Sequence, residues 1–218
     1  MTWAWDNREQ VIDLTLTHAW LSAVPMLLGF AIALPVGWYA SRHRRLRGSL
    51  LSVGSILYSI PSLPLFVILP GIIGTGFLSP LNVVVALTIY AAAIMVRSAT
   101  DAFTSVSPAV LDAATATGYA SRQRGLAVEL PLAGPVLLAG LRVVSVSTVS
   151  LVSVGALIGV SSLGSLFTDG FRRSFTTEIV VGVVGIVVLA LVFDAVLVVA
   201  GRVLMPWATL TRPAGVEA

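Results

Sequence analysis

The chain has 218 residues, 57% of them hydrophobic and 11% charged, with a mean hydropathy of +0.98 and a net charge of +3. A soluble domain carries about a quarter charged residues, so this composition excludes a water-covered surface and makes a bilayer the expected solvent. Cysteine and lysine are both absent, which excludes disulfides, thiolate metal sites and thiol catalysis, and also a P-loop, whose lysine must reach the nucleotide phosphates.

The length predicts one domain, residues 1–218. Asp6, Glu9 and Asp13 stand at the N-terminus where a signal peptide carries basic residues, so the first apolar stretch is expected to be retained. Five apolar spans follow in order: Leu16–Ala40, Gly48–Leu69, Leu81–Val96 continuing to about residue 100, Ala133–Val160 and Ile179–Leu204. Lipid cannot satisfy open backbone groups, so each is predicted helical and the fold class is all-α integral membrane. Pro25 and Pro35 read as ordinary kinks. In Ser59-Ile60-Pro61-Ser62-Leu63-Pro64, two prolines and two hydroxyls fall near mid-depth. That segment is either a kink or a broken helix lining a solute path. Gly155 and Gly159 make a small-xxx-small spacing that predicts close helix approach. Asp194, inside the fifth span, reads as a structural partner for an arginine, with Arg202 about two turns away. Arg142 reads as snorkelling to the nearer interface.

The arginines set the expected orientation. Arg42-His43-Arg44-Arg45-Leu46-Arg47 is the densest basic cluster and is assigned to the cytoplasm. Arg97, Arg122, Arg124, Arg142, Arg202 and Arg212 then fall inside, and Arg8, Arg172 and Arg173 outside. That puts the N-terminus outside and the C-terminus inside. Arginines at span edges suit a membrane protein, so no nucleic-acid partner is expected. His18 and His43 have no metal-ligand spacing around them, and no metal site is expected.

Between the third and fourth spans lies a more polar stretch, with the candidate loop at 105–131. Ser107-Pro108 suits a helix start. Ala113, Ala114 and Ala116 favour helix and carry little bulk, so a partner could approach the backbone there. Gly118 can end that helix through a left-handed turn, and Ser121 can cap a second short helix holding Arg122, Gln123 and Arg124. Such a segment either docks into a cleft on a soluble partner or rests on the bilayer as an amphipathic connector.

The spacing decides between them by resemblance. Asp112-Ala113-Ala114, then Gly118, then Val128-Glu129-Leu130-Pro131 resembles the EAA motif of bacterial ABC importer permeases, with Asp112 for the usual Glu and Val128 for the usual Ile. The resemblance extends to permeases of osmoprotectant importers. It is carried by Leu34-Pro35-Val36-Gly37, Ile60-Pro61-Ser62-Leu63, Ala139-Gly140-Leu141-Arg142, Ile158-Gly159 with Leu163-Gly164, and Met205-Pro206-Trp207. Val160-Ser161-Ser162 departs from the Ala-Gly-Gly usual there. The resemblance implies a type I, methionine-permease-like fold of about five transmembrane helices in the bacterial cytoplasmic (inner) membrane. It implies that Asp112, Ala113, Ala114, Gly118, Tyr119 and Arg122 form the coupling helix and its flank, seated in a groove of an ATPase subunit. The implied partners are two ATP-binding-cassette subunits that bind ATP-Mg, a second permease subunit (the same chain or a paralogue), and an extracytoplasmic substrate-binding protein. The chain itself would carry no cofactor and would not be an enzyme. The implied solute is of the glycine betaine, carnitine, choline or proline type, with methionine or another amino acid as the alternative. A non-transporting membrane scaffold is the alternative of another class. Aromatic faces recognise quaternary ammonium groups, which makes Tyr58, Phe66 and Tyr90 path candidates, together with Ser59, Pro61 and Ser62.

Overall fold

The computed structural model describes residues 2–209; Arg212 lies outside the described residues. The helices are α1 (Thr2–Asp6), α2 (Arg8–Arg42), α3 (Arg44–Ser59), α4 (Ser62–Ile73), α5 (Pro80–Thr104), α6 (Pro108–Ala116), α7 (Ser121–Arg124), α8 (Leu130–Val152), α9 (Leu163–Arg172) and α10 (Thr176–Leu204). A π-helical turn, Gly125–Glu129, joins α7 to α8, and a 3₁₀ turn, Ser153–Ile158, follows α8. Among the described residues there is no strand.

Four helical stretches are long and apolar enough to cross a membrane: α2, α5, the run Ser121–Ile158 that includes α8, and α10. A fifth crossing exists only if α3 and α4 count as one span, and these two meet at a 99° bend. The stretch 48–69 is therefore not one straight helix. Pro61 has no N–H to continue the helix and disfavours helical backbone at Ile60, which adopts the extended ψ of 126°. Pro25 and Pro35, by contrast, sit inside the continuous α2.

Helix α5 is the central element, with α2, α3, α4 and α8 all packed on it. Small residues let α2 and α5 touch. A Cβ added at Gly29 would lie 2.5 Å from the Ala91 Cβ, and one at Gly37 would lie 2.4 Å from the Ala99 Cβ. Without a hydrophobic drive between helices in lipid, such close contact is what holds membrane helices together. One buried cluster gathers Ala33, Ala91, Met95, Ala99, Leu137 and Val144; another gathers Leu21, Phe66, Val83, Leu87, Tyr90 and Val152. His18, fully buried on α2, donates from Nε2 to the Val149 carbonyl of α8 (2.9 Å).

The pair Gly155 and Gly159 does not form the predicted interface stripe. Gly155 is buried against Val83, but Gly159 takes a φ of 87° and ends the 3₁₀ turn. Ser162 then starts α9 with a reciprocal capping box to Ser165.

The two ends of the bundle differ in content. At one end the Trp3 ring meets Phe175 edge-to-face at 5.7 Å, and Arg173 pairs with the buried Glu178. At the other end, Arg47 pairs with Asp101 (3.0 Å), Arg42 reaches Ser121 (2.8 Å), and Trp207 donates to the Pro131 carbonyl (3.3 Å). The basic 42–47 segment and the 105–131 loop thus share an end, opposite Arg172 and Arg173.

Candidate coupling loop and transport path

Pro108 opens α6 at its first turn, where its missing N–H costs nothing. Leu111 is half-buried and Ala114 buried, which turns Asp112, Ala113, Thr115 and Ala116 outward. Among the described residues Asp112 has no ion-pair partner. Gly118 ends the helix with a φ of 91°. Its N–H bonds the Thr115 carbonyl (3.0 Å) while the N–H of Tyr119 bonds the Ala114 carbonyl (3.1 Å). These are the two bonds of a Schellman cap, which wants glycine at this position.

The expected cap on α7 differs. Ala120 holds the N-cap position and Ser121 lies one residue inside the helix. The Ser121 hydroxyl accepts from Arg42 instead of capping a backbone N–H. Arg122 is exposed and stands at the rim of an apolar cavity of about 270 Å³ lined by Leu34, Pro35, Trp38, Phe103 and Leu130.

Glu129 organises the loop, and the sequence reading assigned it no role. Its side chain is 4% exposed. It accepts from Arg42 (2.5 Å), from Arg124 Nε (3.0 Å) and from Trp38 Nε1 (3.1 Å). The Arg42 guanidinium also lies 3.9 Å from the centroid of the Trp38 ring, a cation–π contact. Arg124 donates onward to the Thr115 hydroxyl of α6 (2.8 Å). A continuous polar chain therefore runs from the end of α2 through Glu129 to α7 and α6. The π-helical turn sets Glu129 in place, and such turns recur at functional sites. One signal was present in the sequence: an acid at the mouth of a span, between loops rich in arginine.

The path candidates gather partly at the α3–α4 bend. In a helix the Ile60 carbonyl would accept from residue 64, but Pro64 has no N–H. The Tyr90 hydroxyl of α5 donates to that carbonyl (2.5 Å). Tyr58 stacks edge-on against Tyr90 at 5.9 Å. Tyr58, Ser59 and Pro61 are exposed and Ser62 is half-buried. Tyr90 is nearly buried, and Phe66 lies wholly inside the core between Leu21 and Val83. In this conformation Phe66 offers no surface to a solute.

Asp194 does pair with an arginine, but with Arg142 and not Arg202. The contact is bidentate, 2.6 Å to Nε and 2.8 Å to NH2. Arg142 consequently turns toward α10 and does not snorkel away from it.

The family model described as "Binding-protein-dependent transport system inner membrane component" matches residues 14–209. The osmoprotectant import permease protein OsmW of Salmonella typhimurium is 32% identical over 192 residues, covering 87% of this chain and 89% of that protein. The choline transport system permease protein OpuBB of Bacillus subtilis is 28% identical over 200 residues, covering 92% of this chain and 91% of that one. The carnitine transport permease protein OpuCD of Listeria monocytogenes is 27% identical over 208 residues, covering 95% and 92%. An inward-facing structure of the MetNI methionine ABC transporter matches with a TM-score of 0.75 over 94% of this chain and 98% of that chain, at 22% identity. That likeness shows the shared fold. The chain belongs to the inner-membrane components of binding-protein-dependent transport systems and is a multi-pass permease subunit of an ABC importer.

Proposed function

We propose that the chain, with a second permease subunit, forms the path for a compatible solute bearing a quaternary ammonium, of the glycine betaine, carnitine or choline kind. Residues 112–131 then couple that path to a separate ATPase that binds ATP-Mg. The supporting observation is the outward face of α6, which carries Asp112, Ala113 and Ala116 while Glu129 fastens the loop behind it to α2. A rigidly backed, low-relief helix suits a cleft on a soluble partner, and it can pass a displacement to the spans. In this reading the 105–131 loop faces the cytoplasm, the N-terminus lies outside and the C-terminus inside, in accord with the arginine distribution. An extracytoplasmic binding protein delivers solute to the outer end. ATP-driven closure of the ATPases moves α6, and Arg124, Glu129 and Arg42 carry the movement into α2.

The solute class rests on relatives named for osmoprotectant, choline and carnitine transport, each aligned over most of its length. The methionine and amino acid transporters share the fold at 22% and 16% identity. The test is ATP-dependent uptake by proteoliposomes holding the whole assembly, with labelled glycine betaine, carnitine, choline and methionine offered separately. Saturable uptake of the quaternary ammonium solutes, with none of methionine, is expected. Uptake of methionine alone would move the chain to the amino acid importers, and absence of an associated ATPase would move it to the scaffolds.

A further inference from the structure

The Arg142–Asp194 pair stands at a depth where charge is costly. Arg142 is twelve residues beyond Leu130, the start of α8 at the coupling-loop end, or ~18 Å along the helix. Asp194 is ten residues before Leu204, or ~15 Å from the same end. A hydrocarbon core is about 30 Å thick, so both charges lie near its middle. Their side chains are nonetheless 44% and 29% exposed on the single chain. Charged groups at such depth face a bundle interior or a water-filled cavity, not lipid.

The faces of the two helices agree with that placement. The exposed side of α8 carries Arg142, Val143 and Val146 and continues through the half-buried Ser147 and the exposed Ser150 toward the outer end. Among the described residues the Ser147 and Ser150 hydroxyls have no hydrogen-bond partner, whereas Thr148 bonds back to the Val144 carbonyl. Two unpaired hydroxyls therefore lie between the outer end and the ion pair, with Val143 and Val146 beside them. At the depth of the pair the exposed residues of α10 are apolar, Val184, Val188, Leu191 and Val192 among them, and its exposed Arg202 lies nearer the helix end. At this depth only the α8 face carries hydroxyls.

We propose that this face of α8 lines the solute path, and that Arg142 and Asp194 bind there a zwitterion carrying both a quaternary ammonium and a carboxylate. The assignment deepens the importer reading above and rests on it. A guanidinium holds a carboxylate through two parallel N–H donors, so the solute's carboxylate exchanges with Asp194 on Arg142 while its cationic group takes the freed Asp194 carboxylate. The exchange replaces one hydrogen-bonded ion pair by two contacts: a guanidinium–carboxylate pair on Arg142 and a charge–charge contact, without hydrogen bonds, between Asp194 and the quaternary ammonium. Binding is then favourable enough to admit the solute and weak enough to release it, which a path requires.

The absence of cysteine from the chain makes the test direct. Val146→Cys on α8 and Val188→Cys on α10 lie at matched depth, each sixteen residues from the coupling-loop end of its helix. A thiol reacts as the thiolate, which forms in water and not in hydrocarbon. In the complete assembly, a charged, membrane-impermeant methanethiosulfonate is expected to modify Val146→Cys about tenfold or more faster than Val188→Cys, with glycine betaine slowing it. The neutral double variant Arg142→Gln/Asp194→Asn keeps the shapes and removes the charges. It is expected to raise the KM for glycine betaine about tenfold relative to that for choline, which has no carboxylate to lose its partner. Equal modification rates at the two positions, or an unchanged betaine-to-choline KM ratio, would overturn the proposal. Failure of the unsubstituted assembly to take up either solute would instead sink the solute reading on which it rests.

Discussion

Two residues shape the proposed coupling loop, and they are not equally legible in the sequence. Gly118 follows from one local rule, that a helix ends readily on a residue with positive φ, and the structure gives it a φ of 91°. Glu129 obeys no local rule. Its partners Arg42 and Trp38 lie 87 and 91 residues away in sequence, so only the fold reveals that one carboxylate holds the end of α2 and the end of α7. The consequences differ in kind. Gly118→Arg strains the left-handed turn and adds bulk beside α6, so ATPase association in a pull-down is expected to fall at least tenfold, with the chain still inserted in the membrane; a shift of about 1–2 kcal/mol from the turn alone accompanies it. Glu129→Ala leaves two arginines facing each other with no acceptor between them. With the carboxylate buried and the arginines about a fifth exposed, a loss of about 2 kcal/mol is expected, below the range for fully buried pairs. The more informative variant is Glu129→Gln, which keeps the volume and a carbonyl acceptor. It is expected to leave the ATPase bound yet reduce solute transported per ATP hydrolysed, measured side by side in proteoliposomes. An unchanged ratio would mean the carboxylate serves folding alone.

At the scale of elements, hydropathy located the apolar stretches because every spanning segment must be helical in lipid. It could not choose between a kinked and a broken second span, since two prolines permit either. The choice is made by Tyr90, which supplies the donor that Pro64 withholds from the Ile60 carbonyl. Tyr90→Phe removes that donor and is expected to cost about 1–3 kcal/mol, seen as a lower midpoint in thermal unfolding of the detergent-solubilised protein, with the α3–α4 bend losing definition. The Asp194 partner was equally beyond the sequence: Arg202 is the nearer arginine along the chain, but Arg142 arrives across the α8–α10 contact. The α2–α5 seam is held by small residues. Replacing Gly37, whose added Cβ would fall 2.4 Å from that of Ala99, by Leu is expected to force the helices apart and reduce the yield of folded protein in the membrane fraction.

At the scale of the whole molecule, the arginine-rich 42–47 segment and the 105–131 loop come together at one end, while α1 and the segment near Phe171 lie at the other. The orientation proposed for the chain follows by placing the first of these ends in the cytoplasm. Phe171 is 80% exposed, so Phe171→Cys in intact cells is expected to react with an impermeant maleimide, and Arg45→Cys only after permeabilisation. The opposite pattern would invert the topology and remove the loop from any cytoplasmic ATPase. The solute itself is not legible in the loop, because residues proposed to dock an ATPase need have no contact with what is carried.

The most direct test of the coupling assignment is a site-specific cross-link from α6. Ala113→Cys and Ala116→Cys place single thiols on its exposed face in a chain otherwise free of cysteine. With a short photoactivatable maleimide, a covalent adduct with the ATPase subunit is expected from both positions in the purified assembly, its yield changing on addition of ATP-Mg. An assembly that contains the ATPase but yields no adduct from either position would contradict the assignment.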